Sequence, residues 1–267
     1  MSPVLFYVYI DDLLHCLASS GVGCFIGLHF VGALAYADDI TLLAPTLTAL
    51  RKMLAICDAY AEDYNIEFNG AKSKCMITAS SKRLQLYKHI TDCFCIGGKA
   101  TDFVKSYSHL GHIITSHLDD VEDISFRQNS FIGQVNNILC FFRKLTSVVK
   151  CKLFKAYCYS FYGCELWSLE HSKLNDFVIA WTKGVRRIWG LPYNTHSDLL
   201  PILSNFLPIF DEICRRFLVV FWFLVIIVFT MTLTLLGLLR HIVCYLHVMT
   251  QSWARMPFFV HSAMVVH

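Results

Sequence analysis

Apolar positions change their spacing several times along this chain, and each change predicts a different kind of element. From Ser2 to Leu17 they fall at Phe6, Ile10, Leu13, Leu14 and Leu17, the three-to-four-residue spacing of one helix face. Ser2 before Pro3 suits a helix start, and Ser19-Ser20-Gly21 suits its end. Between residues 23 and 44 the apolar runs shorten, with glycines at 23, 27 and 32. That stretch reads as a strand near Cys24 to Leu28, a turn around His29 to Gly32, and two strands, 33–37 and 40–44, joined through Asp38-Asp39. Helical spacing returns at Leu47, Leu50, Leu54, Cys57, Ala61 and Tyr64, between Pro45-Thr46 and Asn65. IEFNGAKSKCMI (66–77) predicts two short strands about an Asn-Gly turn. CFCIGGKATDFVKSYSHLGHIIT (93–115) predicts a hairpin about Gly97-Gly98 and a following strand.

From Asp119 the pattern is helical. One stripe runs through Ile124, Phe131, Val135, Ile138, Phe142 and Leu145, and a second through Val149, Leu153, Ala156 and Tyr157. A third, Phe177, Trp181, Val185 and Ile188, stops at Gly190-Leu191-Pro192. Phe217 to Leu239 then holds 23 residues without a charge, bounded by Arg215, Arg216 and Arg240, a length that can cross a bilayer. A buried core helix is the other reading of that run. The fold class expected is α+β, with a helical second half and an apolar tail.

Two pairs of adjacent acids interrupt apolar sequence. Asp11 and Asp12 lie off the helix face carrying Ile10, Leu13 and Leu14, which makes them solvated charges. Asp38 and Asp39 instead join two strands, where a tight turn lets both carboxylates lean toward one point beyond the sheet end.

Composition sharpens this picture. With 267 residues, 55% of them hydrophobic and 16% charged, the chain has core material for one large or two modest domains. Residues 1–142 carry 10 Lys/Arg against 14 Asp/Glu, and residues 143–190 carry 9 against 3. An acidic, metal-suited half before a basic, polyanion-suited block fits that division, as do solvated helix faces. The last acid is Glu212; residues 217–267 hold none, and a frame shift or a fusion to unrelated sequence would each give such a join. Twelve cysteines without a CxxC pair suggest reduced thiols and an intracellular chain, membrane-associated if 217–239 is genuine coding sequence. MSPVLFYVYIDDLL lacks a basic leader region and is broken by two acids, unlike a signal peptide. No HExxH or comparable set occurs among the twelve histidines, so no zinc is expected and His109 and His112 read as non-ligands.

The segment AYADD (35–39) resembles the tyrosine-x-aspartate-aspartate hairpin of reverse transcriptases, and its neighbours match that family in order. SPVLFYVYIDDLL (2–14) resembles the helix beside the nucleotide pocket, FNGAKSK (68–74) the following palm segment, and YSHLGHIIT (107–115) the primer-grip hairpin. LFKAYCYSFYGCELW (153–167) and WTKGVRRIWGLPYNTHSDLLP (181–201) are similar to the thumb and beyond in retrotransposons lacking long terminal repeats. The resemblance covers residues 2 to about 212. It implies a partial palm with primer grip over 1–115, a helical thumb and connection over 116–212, the candidate transmembrane helix 217–239 and a tail, 240–267.

It also implies RNA-directed DNA synthesis on an RNA template with a DNA primer. Asp38 and Asp39 would be ligands of two Mg²⁺ ions about 3.5–4 Å apart. Tyr36 and Ala37 would lie beside the primer terminus and incoming nucleotide. Lys72 matches the lysine that protonates leaving pyrophosphate, with Lys74 as its alternative. Leu110 and Gly111 would sit in the primer grip. Lys183, Arg186 and Arg187, set between Trp181 and Trp189, have the i, i+3, i+4 spacing that suits successive phosphates, or an ordinary amphipathic helix. Since the chain opens inside the helix that follows the family's first palm aspartate, that carboxylate and the fingers are expected to be missing and the chain inactive alone. Two rival readings are a single-pass membrane protein carrying a non-catalytic palm-like module and an unrelated Mg²⁺ phosphotransferase. The latter lacks the phosphate-cradling glycine-rich loop it would need.

Overall fold

The computed structural model describes residues 2–78, 94–159, 161–234 and 262–266. The fold is mixed α+β, and its described residues divide into two compact units, each with its own core. One comprises 2–109, 114–119 and 262–266; the other comprises 110–113 and 120–234.

In the first unit, helix α1 (Ser2–Ser19) buries Ile10, Leu13 and Leu17 and leaves Asp11 and Asp12 in solvent, as the periodicity requires. Strands β1 (Phe25–Ile26) and β2 (His29–Phe30) close a small hairpin about Gly27-Leu28. The turn expected at His29–Gly32 is therefore displaced. Gly32 is needed for packing instead, because a Cβ there would lie 2.5 Å from the Phe30 ring. Strands β3 (Ala33–Tyr36) and β4 (Asp39–Ala44) follow, then helix α2 (Leu47–Tyr64). Thr46 caps α2 by accepting from the Ala49 N–H, and Asn65 ends it in the left-handed conformation with its N–H on the Ala61 carbonyl. Leu50, Met53, Leu54, Cys57 and Tyr60 turn toward the core.

Only β5 (Lys74–Met76) forms in the stretch where two strands are expected. Around Asn69 the chain turns on itself: the Gly70 N–H donates to the Phe68 carbonyl, and the Lys72 and Ser73 N–H groups donate to Asn69. Donors satisfied locally are not available to a ladder. Strands β6 (Phe94–Ile96) and β7 (Lys99–Phe103) pair about Gly97-Gly98, and β8 (Ser106–His109) and β9 (His112–Thr115) about Leu110-Gly111. A final strand, β10 (Ser262–Val266), completes a six-stranded sheet in the order β3-β4-β10-β5-β7-β6. All its neighbours are antiparallel except β5 and β7. Strand β4 is buried at Ile40, Thr41, Leu42 and Ala44, on both faces, as befits an interior strand.

The second unit is helical: α3 (Val121–Phe141), α4 (Ser147–Cys158), a 3₁₀ turn (Cys164–Leu166), α5 (Lys173–Trp189), α6 (Leu199–Ser204) and α7 (Ile209–Thr234). Its core is aromatic, with Phe131 edge-on to Phe154 and Phe177, and Phe161 edge-on to Phe177. Gly184 permits the approach of α3, because a Cβ there would stand 3.3 Å from the Phe131 ring. The α5 stripe is buried as expected, and Gly190 closes the helix at φ 65°. Two stripes need correction. Helix α3 ends at Phe141, so Phe142 and Leu145 are exposed. On α4 the buried residues are Cys151, Phe154 and Cys158, while Val149, Ala156 and Tyr157 face solvent. Cysteines serve as core residues there, and counting only large apolar side chains rotates the face. Burial pushes the thiols of Cys57, Cys75, Cys158 and Cys164 up to about 12.

The expected membrane span is not found. Among the described residues, no helix is long and apolar enough to cross a membrane. Helix α7 starts eight residues before Phe217, with Ile209 and Ile213 in the core and Glu212 bridging Arg215 and Arg216. Arg216 also donates to the carbonyls of Tyr159 and Phe161. The first half of the helix thus belongs to the helical unit, and residues 235–239 of the candidate span, with the 240–261 part of the tail, lie outside the described residues.

Candidate functional site

The two adjacent acids lie at the β3–β4 hairpin, but the turn is one residue earlier than expected. Tyr36 pairs with Asp39, so the two turn residues are Ala37 and Asp38. Ala37 sits at φ 52°, a left-handed conformation that costs a non-glycine residue about 1 kcal/mol. Its N–H donates to the phenol oxygen of Tyr7 on α1 at 3.3 Å, which braces the turn. The displacement gives the carboxylates different settings. Asp38 is exposed at the tip, whereas Asp39 opens β4 and is half-buried. Tyr36 is 61% exposed beside them.

The negative charge of Asp39 reaches the phenol of Tyr107 on β8. Burial first, and Asp39 second, push Tyr107 up from its ordinary value, while Lys74 opposes them. Lys74 itself lies 2.6 Å from Asp102 of β7. Lys72 is exposed in the turn after Asn69, outside any strand. Lys72 therefore lies outside the strand that carries Lys74, and of the two only Lys74 acts on the Tyr107 phenol beside Asp39. Tyr7 and Tyr107 escaped the sequence reading, because a tyrosine at an amphipathic boundary carries no signal of the turn it braces or the charge it senses.

In the helical unit, Leu110 and Gly111 form a left-handed turn, at φ 48° and 77°, that side chains from the first two turns of α3 hold. Arg127 donates to the Gly111 carbonyl, and Asp123 accepts from the Ile113 N–H at 3.0 Å and from the Trp167 indole at 2.7 Å. His112 Nδ1 stands 3.1 Å from Asp123 Oδ2, at ion-pair distance but off the hydrogen-bonding direction. Burial alone would raise the Asp123 pKa; His112 and the two donors outweigh it and hold this carboxyl below its usual range. Asp123 and Arg127 were missed as well, although their i, i+4 spacing at a helix start was a usable signal.

The basic group on α5 is only partly gathered. Lys183 and Arg187 line a groove of about 210 Å³ between α3 and α5, which also includes Gln128, Ile132, Asp176 and Ile179. Arg187 donates to the Asn136 side chain at 2.8 Å. Arg186 points elsewhere, donating twice to the Thr195 carbonyl and lying 6.0 Å from the centroid of the Tyr193 ring. It closes the loop after α5 rather than extending the cationic face.

An ion held by the hairpin would have hard oxygen ligands from Asp38 and Asp39. Among the described residues no cluster of three or more acidic, His or Cys side chains is positioned to hold a metal. Two carboxylates fit one Mg²⁺ that keeps waters or phosphate oxygens at its other positions. They are too few for two ions bound by protein alone.

Residues 1–114 match the model of the family described as reverse transcriptase (RNA-dependent DNA polymerase). The chain carries a reverse transcriptase-like segment there. The matched residues contain the strained hairpin, the Lys74 strand and the Leu110-Gly111 turn; α3 to α7 lie beyond them. No curated protein and no solved structure matches the chain.

Proposed function

We propose that this chain is part of an RNA-directed DNA polymerase of a retrotransposon lacking long terminal repeats. In this reading residues 1–115 are a partial palm with its primer grip and 116–212 a thumb and connection. The observation that carries it is the strained Ala37-Asp38 turn, presenting adjacent carboxylates at the end of an interior strand, inside the segment that matches the reverse transcriptase family. Asp38 and Asp39 would hold Mg²⁺, which when bound neutralises phosphate charge and activates a primer hydroxyl. Tyr36 and Ala37 would flank the nucleotide, and Lys72 or Lys74 would protonate the leaving pyrophosphate; the charge of Lys74, which acts on the Tyr107 phenol near Asp39, favours Lys74. The backbone of Leu110 and Gly111, held by Arg127 and Asp123, would support a primer strand. Lys183 and Arg187 would contact phosphates of the RNA–DNA hybrid.

With two carboxylates in hand, the chain by itself binds nucleic acid weakly and does not extend a primer. The test is the affinity of the full chain for a recessed RNA–DNA hybrid, measured across salt with and without Mg²⁺. Affinity should fall steeply as salt rises, gain from Mg²⁺, and lose that gain in the Asp38→Asn/Asp39→Asn double variant. Affinity indifferent to salt, or a Mg²⁺ gain that survives the double variant, would overturn the reading.

A further inference from the structure

Strand β10 sits in the middle of the sheet, yet it comes from the far end of the described chain. Among the described residues, every other strand of that sheet lies between Ala33 and Phe103, and no element from Ser106 to Thr234 joins it. Five register pairs tie β10 to β4, from Ser262 opposite Ala44 to Val266 opposite Ile40. Three more tie it to β5, from Ala263 opposite Met76 to Val265 opposite Lys74. The two flanking strands do not pair with each other. Remove β10 and each loses a ladder partner along an edge where Ile40, Leu42, Ala44 and Cys75 are almost wholly buried. Unpaired N–H and C=O groups in that setting are costly.

We propose that the gap between β4 and β5 is a strand-binding site whose ligand is an uncharged extended segment lying antiparallel to both strands. The ligand is Ser262–Val266, supplied by the chain's own tail in a monomer and by a second copy of this chain at high protein concentration. Three observations carry this. The width of the gap is one strand, because the partners on either side are already in register with β10. Buried neighbours on β4 and β5 exclude a charged ligand, and Ser-Ala-Met-Val-Val has no charge. Residues 235–261, a connection of 27 residues, tether the strand to α7, so donation within one chain prevails until the protein concentration approaches the effective concentration of the tethered strand, on the order of millimolar, and donation between chains grows toward that limit. The bound strand runs toward the acidic turn, with Val266 opposite the residue that follows Asp39. This inference stands without the polymerase reading.

Hydrogen exchange on the full chain tests it. Met264→Pro should remove ladder pairing, so that amides of Ile40–Ala44 and Lys74–Met76 exchange on the order of 100-fold faster while those of α3 and α5 keep their protection. A capped Ser262–Val266 peptide added in excess should restore protection saturably, and the same peptide with proline at its centre should not. Unchanged protection in the variant, or no rescue by the peptide, overturns the proposal. A second variant guards against misfolding. Met264 is the register partner of Cys75, and opposed residues in an antiparallel pair have Cα atoms about 4.5–5.5 Å apart, within disulfide reach. Oxidised Met264→Cys should yield a 75–264 crosslink on peptide mapping, within one chain in monomers and between chains in a dimer fraction that grows with protein concentration. No crosslink, or one confined to monomers at every concentration, overturns the exchange.

Discussion

Asp38 and Asp123 are both carboxylates next to a left-handed turn, and they have opposite surroundings. Asp123 is fully buried and answered on every side: a backbone N–H, an indole N–H and an imidazole converge on it. Asp38 is exposed, one residue from a strained alanine, in a turn braced by a single tyrosine hydroxyl. A buried acid surrounded by donors is explained by the fold it holds together. An exposed acid on a turn that costs free energy to maintain is not, and that contrast directs attention to the hairpin rather than to the more heavily bonded residue.

If the contrast is right, Asp123→Ala has the largest effect. It strands the Trp167 and Ile113 donors and should destabilise the helical unit by about 3 kcal/mol in urea unfolding. A change under about 1 kcal/mol would mean that the carboxylate is not structural. Acid should act through the same residue and through Glu212, whose carboxyl is lowered first by its hydrogen bonds from Arg215. Both folded values lie below the unfolded ones. Their stabilisation is therefore complete above the ordinary carboxylate range, near pH 4, and disappears as pH falls through the lower folded values. Thermal melting between pH 6 and pH 2 measures it, and the Asp123→Asn variant should show a shallower loss. Next in size, Ala37→Gly should relieve the left-handed strain and stabilise the first unit by about 1 kcal/mol. A neutral or destabilising result would remove the argument from strain. Tyr7→Phe should cost about 0.5 kcal/mol through the loss of one long, exposed hydrogen bond. Smallest of all, Asp38→Asn should leave stability within about 0.5 kcal/mol of the parent.

Much of the local structure was legible because its signals are local. Thr46 and Asn65 mark the ends of α2 through bonds to residues three or four positions away, and Gly190 closes α5 in the same manner. Gly97-Gly98 placed the β6–β7 hairpin, whereas the pattern gave a single strand where β8 and β9 pair, and only the resemblance of YSHLGHIIT to a primer-grip hairpin pointed to that turn. Misreadings arose where a local preference met a competing partner. Asn69 captured the donors of a predicted strand, cysteines took the α4 core face, and Arg186 turned to the Thr195 carbonyl instead of joining Lys183.

The candidate site divides along the same line. Paired carboxylates between two apolar runs, and a basic stretch set between tryptophans, can be read residue by residue. Which of the two acids occupies the tip depends on a pairing register, and whether Lys72 joins Lys74 on its strand depends on where a turn ends.

The amino-acid order alone determined the helices with clear caps, the hairpin that carries Asp38 and Asp39, and the likeness of the first 114 residues to reverse transcriptases, because hydrogen bonds between near neighbours and short motifs are written directly into it. The one-residue offset of the acidic turn, the burial of Asp123 and the placement of Ser262–Val266 between β4 and β5 were decided only by the tertiary structure. Each is a choice among partners distant in the chain, and that choice is made by which backbone and side-chain groups would otherwise be buried without a hydrogen bond.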